Sequence, residues 1–127
     1  MSENAVKILI VEDEREVAGH MRRLLERNGY IAFTAHTMAE GLEKFEQEKP
    51  DLCVVDVFLT MTLSESGIDF LRAALKTGRK FKSLVISGRC DEFLKEDIEA
   101  LPINLFLEKP IEPGQLLDAI KKVLAAE

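Results

Sequence analysis

The chemistry available to this chain rests on the acidic run Glu12-Asp13-Glu14, on Asp56, on the hydroxyl of Ser87 and on Lys109. Asp56 closes the apolar stretch Leu52-Cys53-Val54-Val55, and Glu12-Asp13-Glu14 closes another, Val6–Val11. Such runs read as strands buried on both faces, so the carboxylates stand where two strands leave a core. If the strands are neighbours, three or four carboxylates converge at one edge of a sheet. Like charges at that range repel and raise one another's pKa unless a cation joins them. A hard divalent ion, which takes oxygen ligands, is one such cation; a lysine is the other.

The elements that must position these groups follow from periodicity. Val17, Met21, Leu24 and Leu25 form one helical stripe, and Gly29 is its natural stop. Tyr30–Ala35 is a short strand candidate. Thr37 and Glu40 have the spacing of a capping box, ahead of a helix striped by Met38, Leu42 and Phe45 and closed by Pro50. The central strand Leu52–Val57 comes next, then an irregular stretch 58–66 and a helix over Gly67–Lys76 with Phe70, Leu71, Ala74 and Leu75 inward. Ser83–Ser87 is a fourth strand. Asp91 can cap a helix carrying Leu94, Ile98 and Leu101, and Ile103–Leu107 is a fifth strand. Pro113 suits the first turn of a final helix striped by Leu116, Leu117, Ile120, Val123 and Leu124.

Five strands alternating with five helices predict an α/β fold: right-handed crossovers and a parallel sheet with helices on both faces. The orders open to five strands include the flavodoxin-like, doubly wound 2-1-3-4-5, in which strands one and three meet at the switch point. Glu12-Asp13 and Asp56 then lie at those two carboxyl ends, and Ser87 and Lys109 at the ends of strands four and five. All of them fall on one rim.

The 127 residues suit a single domain spanning 1–127, and the net charge of −6 disfavours nucleic acid or anionic membrane as partners. No apolar run approaches the roughly 20 residues needed to span a bilayer, and the N-terminus lacks the regions of a signal peptide. Cys53 and Cys90 are scattered and have no CxxC spacing, which predicts reduced thiols in a cytoplasmic protein and no metal role for them.

Each polar position has an ordinary reading by itself: solvated acids, a strand-end cap, a turn serine, a surface lysine. Their joint placement is what argues for a site. The chain resembles the receiver domains of bacterial two-component signalling over essentially its whole length. Ile8-Leu9-Ile10-Val11-Glu12-Asp13-Glu14 resembles the family's opening strand and acidic pair, and Pro50–Asp56 the segment that carries its phosphoacceptor. Ile86-Ser87-Gly88 matches the switch hydroxyl, and Phe106-Leu107-Glu108-Lys109-Pro110 the aromatic–Lys–Pro signature. The resemblance implies that Asp56 accepts a phosphoryl group and that Mg²⁺ is held by Glu12, Asp13, Asp56 and the backbone carbonyl of Phe58. It gives Lys109 and Ser87 the phosphoryl oxygens, makes Ser87 and Phe106 the switch pair, and implies a cis Lys109–Pro110 bond. It further implies a signalling domain that catalyses its own phosphorylation and slow autodephosphorylation. The partners implied are a histidine kinase or histidine phosphotransfer protein and a downstream target protein. With one helix between Lys109 and Glu127, no output domain is predicted, and the chain is expected to be a monomer or a weak phosphorylation-dependent dimer.

Two departures from the family pattern stand out. Ten residues separate Asp56 from Gly67, a longer connection than usual and one without proline, and Phe106 replaces the tyrosine often found at the switch position. Phe58 would point to the acceptor's side if the strand geometry continued. It then either screens an acyl phosphate from water and slows its hydrolysis, or tucks into the core below a surface loop. Three other functions compete. A flavin-binding module would want a Gly/Ser/Thr-rich loop where Glu12-Asp13-Glu14 stands. An aspartyl phosphohydrolase would want a second acid at Phe58. A phosphorylation-independent adaptor acting by protein binding is the third, and the long connection keeps it open.

Overall fold

The computed structural model describes residues 5–56, 67–87 and 101–126. Strands β1 (Lys7–Val11), β2 (Ile31–Ala35), β3 (Leu52–Asp56), β4 (Lys82–Ser87) and β5 (Leu105–Glu108) form one parallel sheet in the order β2-β1-β3-β4-β5. The helices among the described residues are α1 (Arg15–Arg27), α2 (Met38–Glu48), α3 (Gly67–Lys76) and α4 (Pro113–Ala125). The helix predicted to open at Asp91 and carry Leu94 and Ile98 lies outside the described residues; Leu101, at its end, is half-buried.

Strand alternation splits the core into two layers. Leu9, Val11, Cys53, Val55 and Val85 face Phe45 of α2 and Ile68, Phe70, Leu71 and Ala74 of α3. Ile8, Ile10, Leu52, Val54, Leu84 and Ile86 face Ala18 and Leu25 of α1 and Leu116, Ala119, Ile120 and Val123 of α4. All five residues of β3 are buried, as its position between β1 and β4 requires. Burial pushes the Cys53 thiol well above its ordinary range, which leaves it inert.

Local signals explain most boundaries. The Thr37 hydroxyl accepts from the Glu40 amide at 3.1 Å and opens α2. Gly29 and Gly78 take positive φ behind α1 and α3, where a side chain would be strained. Strand starts and one helix stripe differ from the sequence reading: β1 begins at Lys7 rather than Val6, β2 at Ile31 rather than Tyr30 and β4 at Lys82 rather than Ser83. Helix α2 closes before Pro50 as read, with Lys49 as its C-cap in the left-handed conformation, because Pro50 disfavours a helical residue before it. The last strand begins at Leu105 rather than Ile103, whose amide instead donates to Leu101 O at 2.8 Å. Asn104 clamps Ser83 just ahead of β5: its backbone amide donates to Ser83 O at 3.1 Å and its Oδ1 accepts from the Ser83 amide at 2.9 Å. Of the α1 stripe only Leu25 is fully buried. Val17, Met21 and Leu24 stay half-buried beside a groove that Ile111, Pro113 and Leu116 also line.

Candidate functional site

Glu12 and Asp13 follow directly on β1, and Asp56 is the last residue of β3, which pairs with β1. The Glu12 amide donates to Ala35 O at 2.9 Å, so the ladder to β2 reaches one residue beyond the strand and holds the acid in place. Glu12 is 1% exposed and Asp56 7%. One carboxylate oxygen from each of Glu12, Asp13 and Asp56 lies within 4.8 Å of the others. The convergence expected from the two strand ends is therefore present.

Lys109 reaches this cluster from the end of β5. Its amide donates to Ser87 O at 2.8 Å, tying its backbone to the end of β4. Its Nζ donates to Asp56 Oδ2 at 2.9 Å and stands 3.6 Å from Glu12 Oε1. The Lys109–Pro110 bond is cis. Ser87 is fully buried at the carboxyl end of β4, and Phe106 is half-buried against the core layer that contains Val85. Phe58 lies outside the described residues.

Charge is unbalanced at the rim. Burial, and then the neighbouring Asp56 charge, push the Glu12 carboxyl up to about 8. Burial lowers the Lys109 pKa, but its hydrogen bond to Asp56 and the charges of Asp56, Glu12 and Glu14 outweigh that and leave it raised. The ammonium is therefore firmly charged. Glu12 Oε2 accepts from the Glu14 amide at 3.1 Å, whereas the buried Oε1 has no hydrogen-bond partner among the described residues. A buried acceptor without a donor is costly. Three hard oxygen donors, one of them orphaned, form a set that could hold a metal ion.

Two neighbours of the site escaped the sequence reading. His36 Nδ1 lies 3.0 Å from Glu12 O, and its only signal was its place directly after β2. Gly67 was read as a helix start, yet it packs on the backbone of Asp56.

The response regulator receiver domain family matches residues 8–121. The alkaline phosphatase synthesis transcriptional regulatory protein PhoP of Bacillus subtilis is 33% identical over 118 residues, 93% of this chain and 48% of that protein. Response regulator MprA of Mycobacterium tuberculosis is 30% identical over 122 residues, 94% of this chain and 51% of its own length. The chain thus spans about half the length of these curated relatives. Among solved structures, a CheY-like receiver domain protein from Methanospirillum hungatei superposes with a TM-score of 0.88 at 28% identity, covering 96% of this chain and 95% of that one. Fold, rim and relatives agree, and the chain belongs to the receiver domain family of two-component response regulators.

Proposed function

We propose that Asp56 accepts a phosphoryl group from a phosphohistidine protein, a histidine kinase or histidine phosphotransfer protein, and that the charge so gained switches a protein-binding surface. An Asp56 carboxylate oxygen attacks phosphorus, the N–P bond breaks, and the imidazole leaves, giving an acyl phosphate. Donor and acceptor are both anionic, so the step depends on cations fixed in advance. Lys109 supplies one: its Nζ already sits 2.9 Å from Asp56 Oδ2 and can pass to a phosphoryl oxygen without leaving the site. Glu12, Asp13 and Asp56 would hold Mg²⁺, which when bound supplies charge neutralisation for the incoming phosphate. Ser87 lies one backbone hydrogen bond from Lys109, so its hydroxyl is suited to report the new charge. Phe106, on the β5 strand beside it, is suited to pass that signal outwards.

The observation that carries this reading is the buried, orphaned Glu12 Oε1 next to a lysine-bound Asp56. A rim evolved only for protein binding has no reason to keep an unsatisfied carboxylate in the interior, which disfavours the adaptor reading. The acidic net charge supports a protein partner over nucleic acid. Among the described residues no helix is long and apolar enough to cross a membrane, and with the reduced, buried Cys53 this supports a cytoplasmic setting. The surface of β5, α4 and the segment before β5 is the proposed target-binding face.

Mass spectrometry after incubation with acetyl phosphate and MgCl₂ tests the acceptor. We expect one phosphoryl adduct in the wild type and none in Asp56→Asn. An adduct that survives Asp56→Asn, or none in either protein, overturns the reading.

A further inference from the structure

We propose that Gly67 is a positioning residue for the phosphoryl acceptor: a bare backbone at 67 lets the first turn of α3 rest on the backbone of Asp56 and so sets where its carboxylate lies. The inference rests on the reading of Asp56 as acceptor.

A Cβ at position 67 would stand 2.2 Å from Asp56 O, 2.9 Å from its carbonyl carbon and 2.5 Å from Val55 Cγ1. Ordinary contact begins near 3.4 Å, so a methyl group here forces strand and helix apart by about 1 Å. Gly67 does not need a positive φ, so space alone demands glycine.

The yielding side decides the outcome. Helix α3 is anchored by Ile68, Phe70, Leu71 and Ala74, none more than 4% exposed. Phe70 is also pressed against α2, where a Cβ on Gly41 would already be 3.0 Å from its ring. Asp56 is the last residue of β3 and pairs with Ile86 on β4, while the register with β1 runs to Val55. A strand end gives way more easily than a packed helix, so the displacement falls on Asp56. Its carboxylate then moves off the 2.9 Å contact with Lys109 and out of line with Glu12. A misplacement of about 1 Å at a reacting group costs on the order of a hundredfold in rate.

The test compares wild type, Gly67→Ala, Val55→Ala and the double variant for urea stability and for the rate of Asp56 phosphorylation by acetyl phosphate with MgCl₂. Gly67→Ala should fold and lose ten- to a hundredfold in rate. In the double variant the new methyl occupies the space vacated at Val55, so stability should exceed the additive expectation. The carbonyl contact remains, so the rate should stay low. If Gly67→Ala does not fold, the double variant carries the test by itself. A rate like that of Val55→Ala in either Gly67 variant, or a rate that recovers with stability, overturns the proposal. No adduct on wild type overturns instead the acceptor reading beneath it.

Discussion

Lys109 Nζ donates to Asp56 Oδ2 at 2.9 Å but stops 3.6 Å from Glu12 Oε1, beyond hydrogen-bonding distance. One ammonium therefore serves two buried carboxylates and satisfies only one. The 34% exposure of the lysine side chain lets it swing towards a third anion, whereas the 2% exposure of Glu12 leaves that acid nowhere to go. The rim is built around a deficit of positive charge.

A divalent cation should remove that deficit. We expect Mg²⁺ to raise the melting temperature, by about 2.7 kcal/mol at a hundredfold excess over Kd, or on the order of 10 °C for a chain of this size. Glu12→Gln and Asp13→Asn should each shrink the shift. Melting curves that coincide with and without tens of millimolar Mg²⁺ would refute the metal assignment.

The raised Glu12 pKa predicts an unusual pH profile for the metal-free protein. Between the ordinary carboxyl value of 4.5 and the folded value of about 8, the folded state holds a proton that the unfolded chain has released. Stability should therefore fall as pH rises through that window, with a slope of at most about 1.4 kcal/mol per pH unit, and Glu12→Gln should flatten it. Mg²⁺ needs the carboxylate, so its affinity should rise with pH over the same range. Urea titrations at intervals from pH 5 to 8 would check both signs.

Asp56→Asn, measured without metal, should leave the protein as stable as wild type or more so. The change removes the Asp56 charge that helps push the Glu12 pKa up, and Lys109, only 3.6 Å from Glu12 Oε1, can turn to it. Function and stability commonly oppose one another at such sites. A loss above about 2 kcal/mol would make Asp56 a structural cap.

Ser87→Ala should uncouple phosphorylation from target binding while leaving the adduct on Asp56 intact. Phe106→Tyr should change target affinity only modestly, since Phe106 is half-buried and works through apolar packing alone. Equal target binding by phosphorylated Ser87→Ala and wild type, measured by calorimetry, would remove the serine from the switch.

Lys109→Ala should keep the fold and lose most of the phosphorylation-dependent binding, because its main contact is the Asp56 carboxylate rather than the core. Circular dichroism with the same calorimetric assay would show it; normal binding by the folded variant would defeat the charge argument.

Periodicity and punctuation made the architecture legible from residues alone. Buried strands alternating with amphipathic helices admit few topologies, and in a parallel sheet every strand's carboxyl end lies on one side. Glu12 and Lys109 follow a strand and Asp56 and Ser87 end one, so their shared rim was implied by chain order. Thr37, Gly29 and Pro113 announced their boundaries because caps are local chemistry. Where a long-range partner intervened, local pattern failed: the Asn104 side chain bonds the Ser83 amide, 21 residues away, and β5 begins one residue later, at Leu105. The same holds inside the site. That Lys109 gives its hydrogen bond to Asp56, across 53 residues, and only a longer ion pair to Glu12 depends on how β5 stacks beside β4. That Glu12 is sealed from water, and that Gly67 presses on the Asp56 carbonyl, depends on helices packed against the sheet. Sequence periodicity sets which face and which end a residue occupies; distances of an ångström between separate elements are decided only when their side chains pack.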